Sequence, residues 1–150
     1  MKVPFVDLKE QYLSIKNEID EAIALVLNES AFIGGKYPLT FEKEFAQEYG
    51  AKHCISVANG TDAIYIALKM LGIGKGDEVI TTACSWISTS ETISQTGAIP
   101  VFIDIDEYYL IDSSKIEEKI TSKTKAILPV HLYGQMADIQ KIKLICDRYN

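Results

Sequence analysis

Asn59, Gly60 and Thr61 stand where a short apolar run, "ISVA" from Ile55 to Ala58, turns into a helical pattern that continues to Leu71. A helix N-terminus presents unpaired backbone N–H groups and the positive end of the helix dipole, so it favours an anion. Gly60 carries no Cβ and lets the backbone approach a ligand closely. Thr61 adds a hydroxyl donor. This chemistry suits a phosphate. A second reading is purely local: Asn59 or Thr61 caps the helix, and Asp62 complements the dipole in its first turn. On these residues alone both readings stay open. Trp86, the one tryptophan, lies in "ACSWIST" directly after another apolar run. An aromatic ring at that point either stacks on a flat heterocycle or packs in the core. His131, in "PVHLYGQ", ends a further apolar run. It is a candidate proton carrier or substrate contact, or else a hydrogen-bonded structural histidine.

Other residues with chemical potential read as structural. Asp104 and Asp106 in "FIDIDEYY" suit a strand end and a turn better than a pair of acid–base carboxylates. His53 opens an apolar run and so belongs to the opposite edge of a sheet. "GIGKG", Gly72–Gly76, lacks the G-x-G-x-x-G spacing and follows a helix instead of a strand, so it reads as a helix terminator and turn. No metal-ligand spacing appears.

Elements must bring Gly60, Trp86 and His131 together. The spacing of Ile15, Ile19, Ile23 and Val26 predicts a helix from Asp7 to about Asn28, and Phe41, Phe45 and Tyr49 predict another over Leu39–Tyr49. Then "HCISVA", "DEVITTA", "IPVFIDI" and "KAILPVHLY" recur as Val- and Ile-rich runs without clean alternation, the pattern of strands buried on both faces of a parallel sheet. Helical patterns over Asp62–Leu71, Trp86–Thr96, Ser113–Ile120 and Asp138–Tyr149 separate or follow them. Strand–helix alternation of this kind predicts an α/β fold with right-handed crossovers. Ligands of such sheets sit beyond the carboxyl ends of the strands, which is where all three residues fall. A closing helix calls for a further strand, so the chain reads as the N-terminal portion of a longer protein.

Composition narrows the classes. With 150 residues, 47% hydrophobic, 24% charged and mean hydropathy +0.06, the chain reads as a soluble globular one. A net charge of −6 and a pI of about 4.9 argue against a nucleic-acid partner. The charged start, "MKVPFVDLKEQY", lacks the apolar core of a signal peptide, and no stretch is long and apolar enough for a membrane span. Cys54, Cys84 and Cys146 show no C-x-x-C spacing and read as buried free thiols of a reducing cytoplasm.

Taken in order, "VANGTDAIYIALKMLGIGKGDEVITTACSWISTSETISQTGAIPVFIDID" and "IEEKITSKTKAILPVHLYGQMADI" closely resemble the DegT/DnrJ/StrS family of nucleotide-sugar aminotransferases. The resemblance runs from "VPFVDLKEQY" to the final helix. It implies the three-layer, mostly parallel α/β sheet of the large domain of aspartate aminotransferase-like enzymes dependent on pyridoxal 5′-phosphate, incomplete in this chain. Residues 1–35 would be an N-terminal helical segment and 36–150 the first part of that large domain. Gly60 and Thr61 match the positions that hold the cofactor phosphate, with Asn59 beside them, and Trp86 matches the aromatic that stacks on the pyridine ring. Gly34 falls in the family's "FIGG" region near the active site of the homodimer, with no chemical role assigned. The lysine that forms the imine and the aspartate that pairs with the pyridine nitrogen match no position here and are expected after Asn150, so the 150 residues alone are expected not to transaminate. By resemblance, the whole enzyme moves an amino group from glutamate onto a keto-sugar carried by a nucleotide, in amino-sugar and surface-polysaccharide (O-antigen) synthesis. Three alternatives stand beside this: a sugar dehydratase of the same family, with histidine for the lysine; a nicotinamide-dependent oxidoreductase; and a non-catalytic binding protein.

Overall fold

The structure, a computed structural model, describes residues 3–149. The chain divides into two compact units, Met1–Ser56 and Val57–Asn150.

The first unit holds three helices, α1 (Leu8–Ser14), α2 (Lys16–Asn28) and α3 (Lys36–Glu48). The single long helix expected from Asp7 is interrupted at Ile15, whose φ of −123° and ψ of 17° leave the helical region. An apolar stripe with the right period crosses such a break unchanged, so periodicity does not reveal it. Asp7 caps α1 by accepting from the Glu10 N–H at 2.9 Å. No residue of α1 or α2 is buried. The stripe of Ile15, Ile19 and Ile23 is exposed, although an amphipathic helix gains its stability by burying that face.

The second unit is built on a parallel three-stranded sheet of order β2-β1-β3, with β1 at Glu78–Thr82, β2 at Ile99–Ile103 and β3 at Thr124–Leu128. Three helices accompany it: α4 (Gly60–Met70), α5 (Ser88–Thr96) and α6 (Ile139–Tyr149). Central β1 is buried along Val79–Thr82, and its alternate residues enter two different cores. Val79 packs with Leu68 of α4 and Ile93 of α5 on one face. Ile80 packs with Ile103, Ile111, Ile116 and, from α6, Ile142 and Ile145 on the other. The unit therefore has the expected three layers, helix–sheet–helix, with β1 apolar on both sides as a parallel strand must be.

Two expected elements differ. "HCISVA", residues 53–58, forms no strand among the described residues, and Ile55 is 79% exposed. A Val- and Ile-rich run becomes a strand only where a neighbour completes its ladder of hydrogen bonds. The helix expected over Ser113–Ile120 is instead a pair of 3₁₀ turns, Ser113–Lys115 and Glu117–Lys119. Its apolar spacing serves to sink Ile116, with Ile120 beside it, into the core on the Ile80 face of the sheet. Asp112 opens the first turn by accepting from the Ser114 N–H at 3.0 Å. The Ser114 hydroxyl and then Lys115 hold the Asp112 carboxyl below its ordinary pKa. Asp104 and Asp106 serve as turn acceptors, as expected: Asp104 from the Ile105 N–H, Asp106 from those of Tyr108 and Leu110. Gly72, at φ 77°, ends α4 in the left-handed region that glycine tolerates. All three cysteines are free, but Cys54 and Cys84 are only half-buried and Cys146 is exposed, so none is the buried thiol expected.

Candidate functional site

Because the sheet is parallel, the carboxyl ends of β1 and β3 open onto one edge. The chain leaves β1 through α5, whose Ile93 packs on the Val79 face, and leaves β3 toward α6, whose Ile142 and Ile145 pack on the Ile80 face. Connections that depart to opposite faces leave a crevice between the two strands, the position where open α/β sheets hold their ligands. Thr81 ties the two walls together: its buried hydroxyl donates across the strands to the Leu128 carbonyl at 2.8 Å.

A cleft of about 520 Å³ lies there, lined among others by Gly60, Thr61, Ser85, Trp86, Ser88 and His131. Three separate stretches of sequence thus meet in one place, and they are those that carry the residues expected to act together.

Asn59 caps α4. Its side-chain oxygen accepts from the Asp62 N–H at 2.9 Å, and its carbonyl accepts from the Ala63 N–H at 3.1 Å. The capping reading is therefore correct, and it does not exclude the anion reading. Asn59 serves the N–H groups of Asp62 and Ala63 and leaves those of Gly60 and Thr61 to the cleft. Gly60 is not a conformational necessity: its φ lies outside the left-handed region. Nor is it required by packing, since a Cβ built there meets nothing within 4 Å. The missing side chain leaves room on the cleft side of the helix end.

The Thr61 hydroxyl lies 2.7 Å from that of Ser88, and the Ser85 hydroxyl lies 2.8 Å from that of Thr89. Four hydroxyls thus line the cleft at the N-terminal ends of α4 and α5. Ser85, Ser88 and Thr89 were not singled out by sequence reasoning. The signal was present in "ACSWIST", where hydroxyl residues flank the tryptophan at a strand–helix junction.

Trp86 is 78% exposed and lines the cleft. It is not the core aromatic that was the alternative, and its ring is available for stacking. His131 accepts from the Ala137 N–H through Nδ1 at 3.0 Å, which shapes the turn after β3. With Nδ1 accepting, neutral imidazole carries its proton on Nε2. His131 thus has the structural bond expected of a fixed histidine and still lines the cleft. Gly34 lies in the first unit, between α2 and α3, at φ 59°. Among the described residues, no group of His, Cys, Asp and Glu side chains could hold a metal ion.

The chain is similar to known proteins over nearly its whole length. The chain is 49% identical over 99% of its length to the "pleiotropic regulatory protein" of Geobacillus stearothermophilus, covering 40% of that protein. It is 46% identical over 98% of its length to the UDP-2-acetamido-2-deoxy-3-oxo-D-glucuronate aminotransferase of Pseudomonas aeruginosa, covering 41% of it. Among solved structures it matches S. venezuelae DesV in complex with a ketimine intermediate, with a TM-score of 0.93 and 41% identity over 99% of this chain and 40% of that one. It also matches NtdA from Bacillus subtilis with bound cofactor PMP, with a TM-score of 0.87 and 40% identity over 99% of this chain and 34% of that one. The chain thus spans about two fifths of the length of the curated relatives it matches. The fold expected from its strand–helix rhythm is the fold of these structures, and the family description that matches residues 13–150 covers every residue of the cleft: the chain belongs to the DegT/DnrJ/EryC1/StrS aminotransferase family.

Proposed function

We propose that the cleft between β1 and β3 holds the phosphate and ring of pyridoxal 5′-phosphate. We propose further that the full-length protein carrying this chain transfers an amino group from glutamate to a nucleotide-linked keto-sugar. The observation that carries this reading is the convergence of Gly60, Thr61 and Trp86 on one cleft. The space left by Gly60 and the uncommitted N–H groups beside it fit an oxyanion. The exposed indole fits a flat heterocycle at a short distance along the same wall. Bound there, the cofactor supplies an electron sink for amino-group transfer.

This chain's own residues bind and orient. Gly60 and Thr61 offer backbone donors, Thr61 adds its hydroxyl, and Asn59 keeps the helix end wound so that these donors stay aimed. Trp86 covers one side of the ring and excludes water from it. His131 presents an Nε2–H donor near the ring as a substrate-side contact. The homodimer is supported by the unburied apolar stripe of α2, a face that needs a cover. Cytoplasmic amino-sugar synthesis for surface polysaccharide fits the free thiols and the acidic surface.

Two substitutions test the reading in the full-length protein. Thr61→Val keeps the shape and removes a hydroxyl donor to a charged acceptor, so pyridoxal 5′-phosphate should bind roughly 10- to 100-fold more weakly. Pyridoxal, the same ring without its phosphate, should bind as before. Equal losses for both ligands would contradict a phosphate contact. Trp86→Ala removes an exposed side chain and should leave the melting temperature nearly unchanged. It should weaken cofactor binding by about two- to tenfold through lost ring contact. Unchanged affinity in an absorbance titration would remove Trp86 from the site.

A further inference from the structure

We propose that Ser88 is a positioning residue that sets the direction of the Thr61 hydroxyl; this rests on the reading of the cleft given above. The two hydroxyl oxygens lie 2.7 Å apart. Among the described residues, neither hydroxyl makes another hydrogen bond. Both residues line the cleft, but Ser88, in the first turn of α5, is buried, whereas Thr61, in the first turn of α4, is only half-buried and so stands nearer the open side. The contact therefore joins the N-terminal ends of two helices that pack on the same face of the sheet.

Proton counting gives the contact a function. Each hydroxyl has one hydrogen and two lone pairs. A single hydrogen bond between them uses one of the two hydrogens and leaves the other. If Thr61 donates, its lone pairs face the cleft and repel an anion. If Ser88 donates, the Thr61 hydrogen is free to point at an anion. An anion in the cleft selects the second arrangement, because a hydrogen bond to a charged acceptor is about twice as strong as a neutral one. The order is then Ser88 to Thr61 to anion, and each bond polarises the next. Ser88 does not touch the anion in this arrangement. It holds the Thr61 oxygen from behind and supplies the acceptor site of that oxygen with a proton, so that Thr61 acts only as a donor forward.

Ser88→Ala should then mimic part of the loss seen on removing the Thr61 hydroxyl, and only in its presence. The experiment is a double-mutant cycle in the full-length protein: wild type, Ser88→Ala, Thr61→Val and both together, each titrated with pyridoxal 5′-phosphate and with pyridoxal. Alanine is the better helix former, so Ser88→Ala is expected to fold, and a melting curve checks it. The expected result is a loss of about three- to tenfold in pyridoxal 5′-phosphate affinity for Ser88→Ala, the size of one neutral hydrogen bond. Pyridoxal affinity should stay unchanged, and the double variant should bind no more weakly than Thr61→Val. Ser88→Thr, which keeps the hydroxyl, should restore the affinity; if its added methyl disturbs folding, the cycle alone decides. A Ser88→Ala loss that adds in full to that of Thr61→Val would overturn the proposal, as would an equal loss for pyridoxal. So would no loss in Ser88→Ala while Thr61→Val is strongly weakened, and in that case the reading of the cleft survives. If Thr61→Val itself leaves pyridoxal 5′-phosphate binding intact, the reading of the cleft falls, and the role of Ser88 falls with it.

Discussion

Gly60→Ala leaves the full-length protein folded and weakens its binding of pyridoxal 5′-phosphate by about 10- to 100-fold, the equivalent of one charge-assisted hydrogen bond. The two halves of this expectation come from different observations. The fold tolerates the change because the backbone at Gly60 lies outside the left-handed region and a Cβ there meets nothing within 4 Å. Alanine also favours the helix over glycine by roughly 0.5–1 kcal/mol, so the melting temperature should hold or rise. Binding suffers because the methyl group occupies the space beside the uncommitted N–H groups, holding an oxyanion away from them. Gly60→Asp adds a negative charge at the same point and should lower the affinity further. Thermal melting and a cofactor titration on the same preparations check both halves. A variant that melts normally and binds normally would mean that nothing approaches Gly60 from the cleft.

Ile80→Ala is expected to lower the unfolding free energy by about 2–5 kcal/mol, against about 0.5–1.5 kcal/mol for Ile80→Val. Ile80 is fully buried in the centre of the sheet and meets residues from β2, α6 and the crossover between β2 and β3. These contacts come from rigid, close-packed elements, so little collapse into the cavity is expected. The next residue but one, Thr82, ends the strand from which Trp86 departs. Loosening β1 should therefore also loosen the cleft. Chemical denaturation of the full-length protein measures the difference. A loss below about 1 kcal/mol for Ile80→Ala would show that this layer is not closed on β1.

Much of the second unit was legible in the sequence, for identifiable reasons. "DEVITTA", "IPVFIDI" and "KAILPVHLY" read as strands because β-branched residues recur without alternation, and β1 is indeed apolar on both faces. Asn59 and Asp62 marked the start of α4 to within a residue or two. The same signals failed at "HCISVA", because composition describes a strand's own residues and not whether a neighbour exists to pair with them. They failed at Ile15, where the apolar period continues through a break in the backbone. At the site, Gly60, Trp86 and His131 were legible because each follows an apolar run at the carboxyl edge. The crevice itself was not. It depends on the strand order β2-β1-β3 and on α5 and α6 taking opposite faces, and neither property is written in any local stretch. Ser88 escaped notice for the same reason: its partner, Thr61, lies 27 residues away.

A helix cap and an anion site do not exclude each other at Asn59-Gly60-Thr61. The Asn59 side chain satisfies one of the helix's unpaired N–H groups, that of Asp62, and its backbone carbonyl takes the Ala63 N–H, while the glycine that precedes them carries another that needs a different partner. Capping and the proposed anion binding would divide the same helix end between them.

The central claim is that this helix end and Trp86 form one cofactor site. The most direct test is a crystal structure of the full-length protein with pyridoxal 5′-phosphate bound. The phosphate is expected within hydrogen-bond reach of the Gly60 and Thr61 amides and the Thr61 hydroxyl, with the pyridine ring against the Trp86 indole. A phosphate bound elsewhere, with the cleft between β1 and β3 left to solvent, would contradict the account.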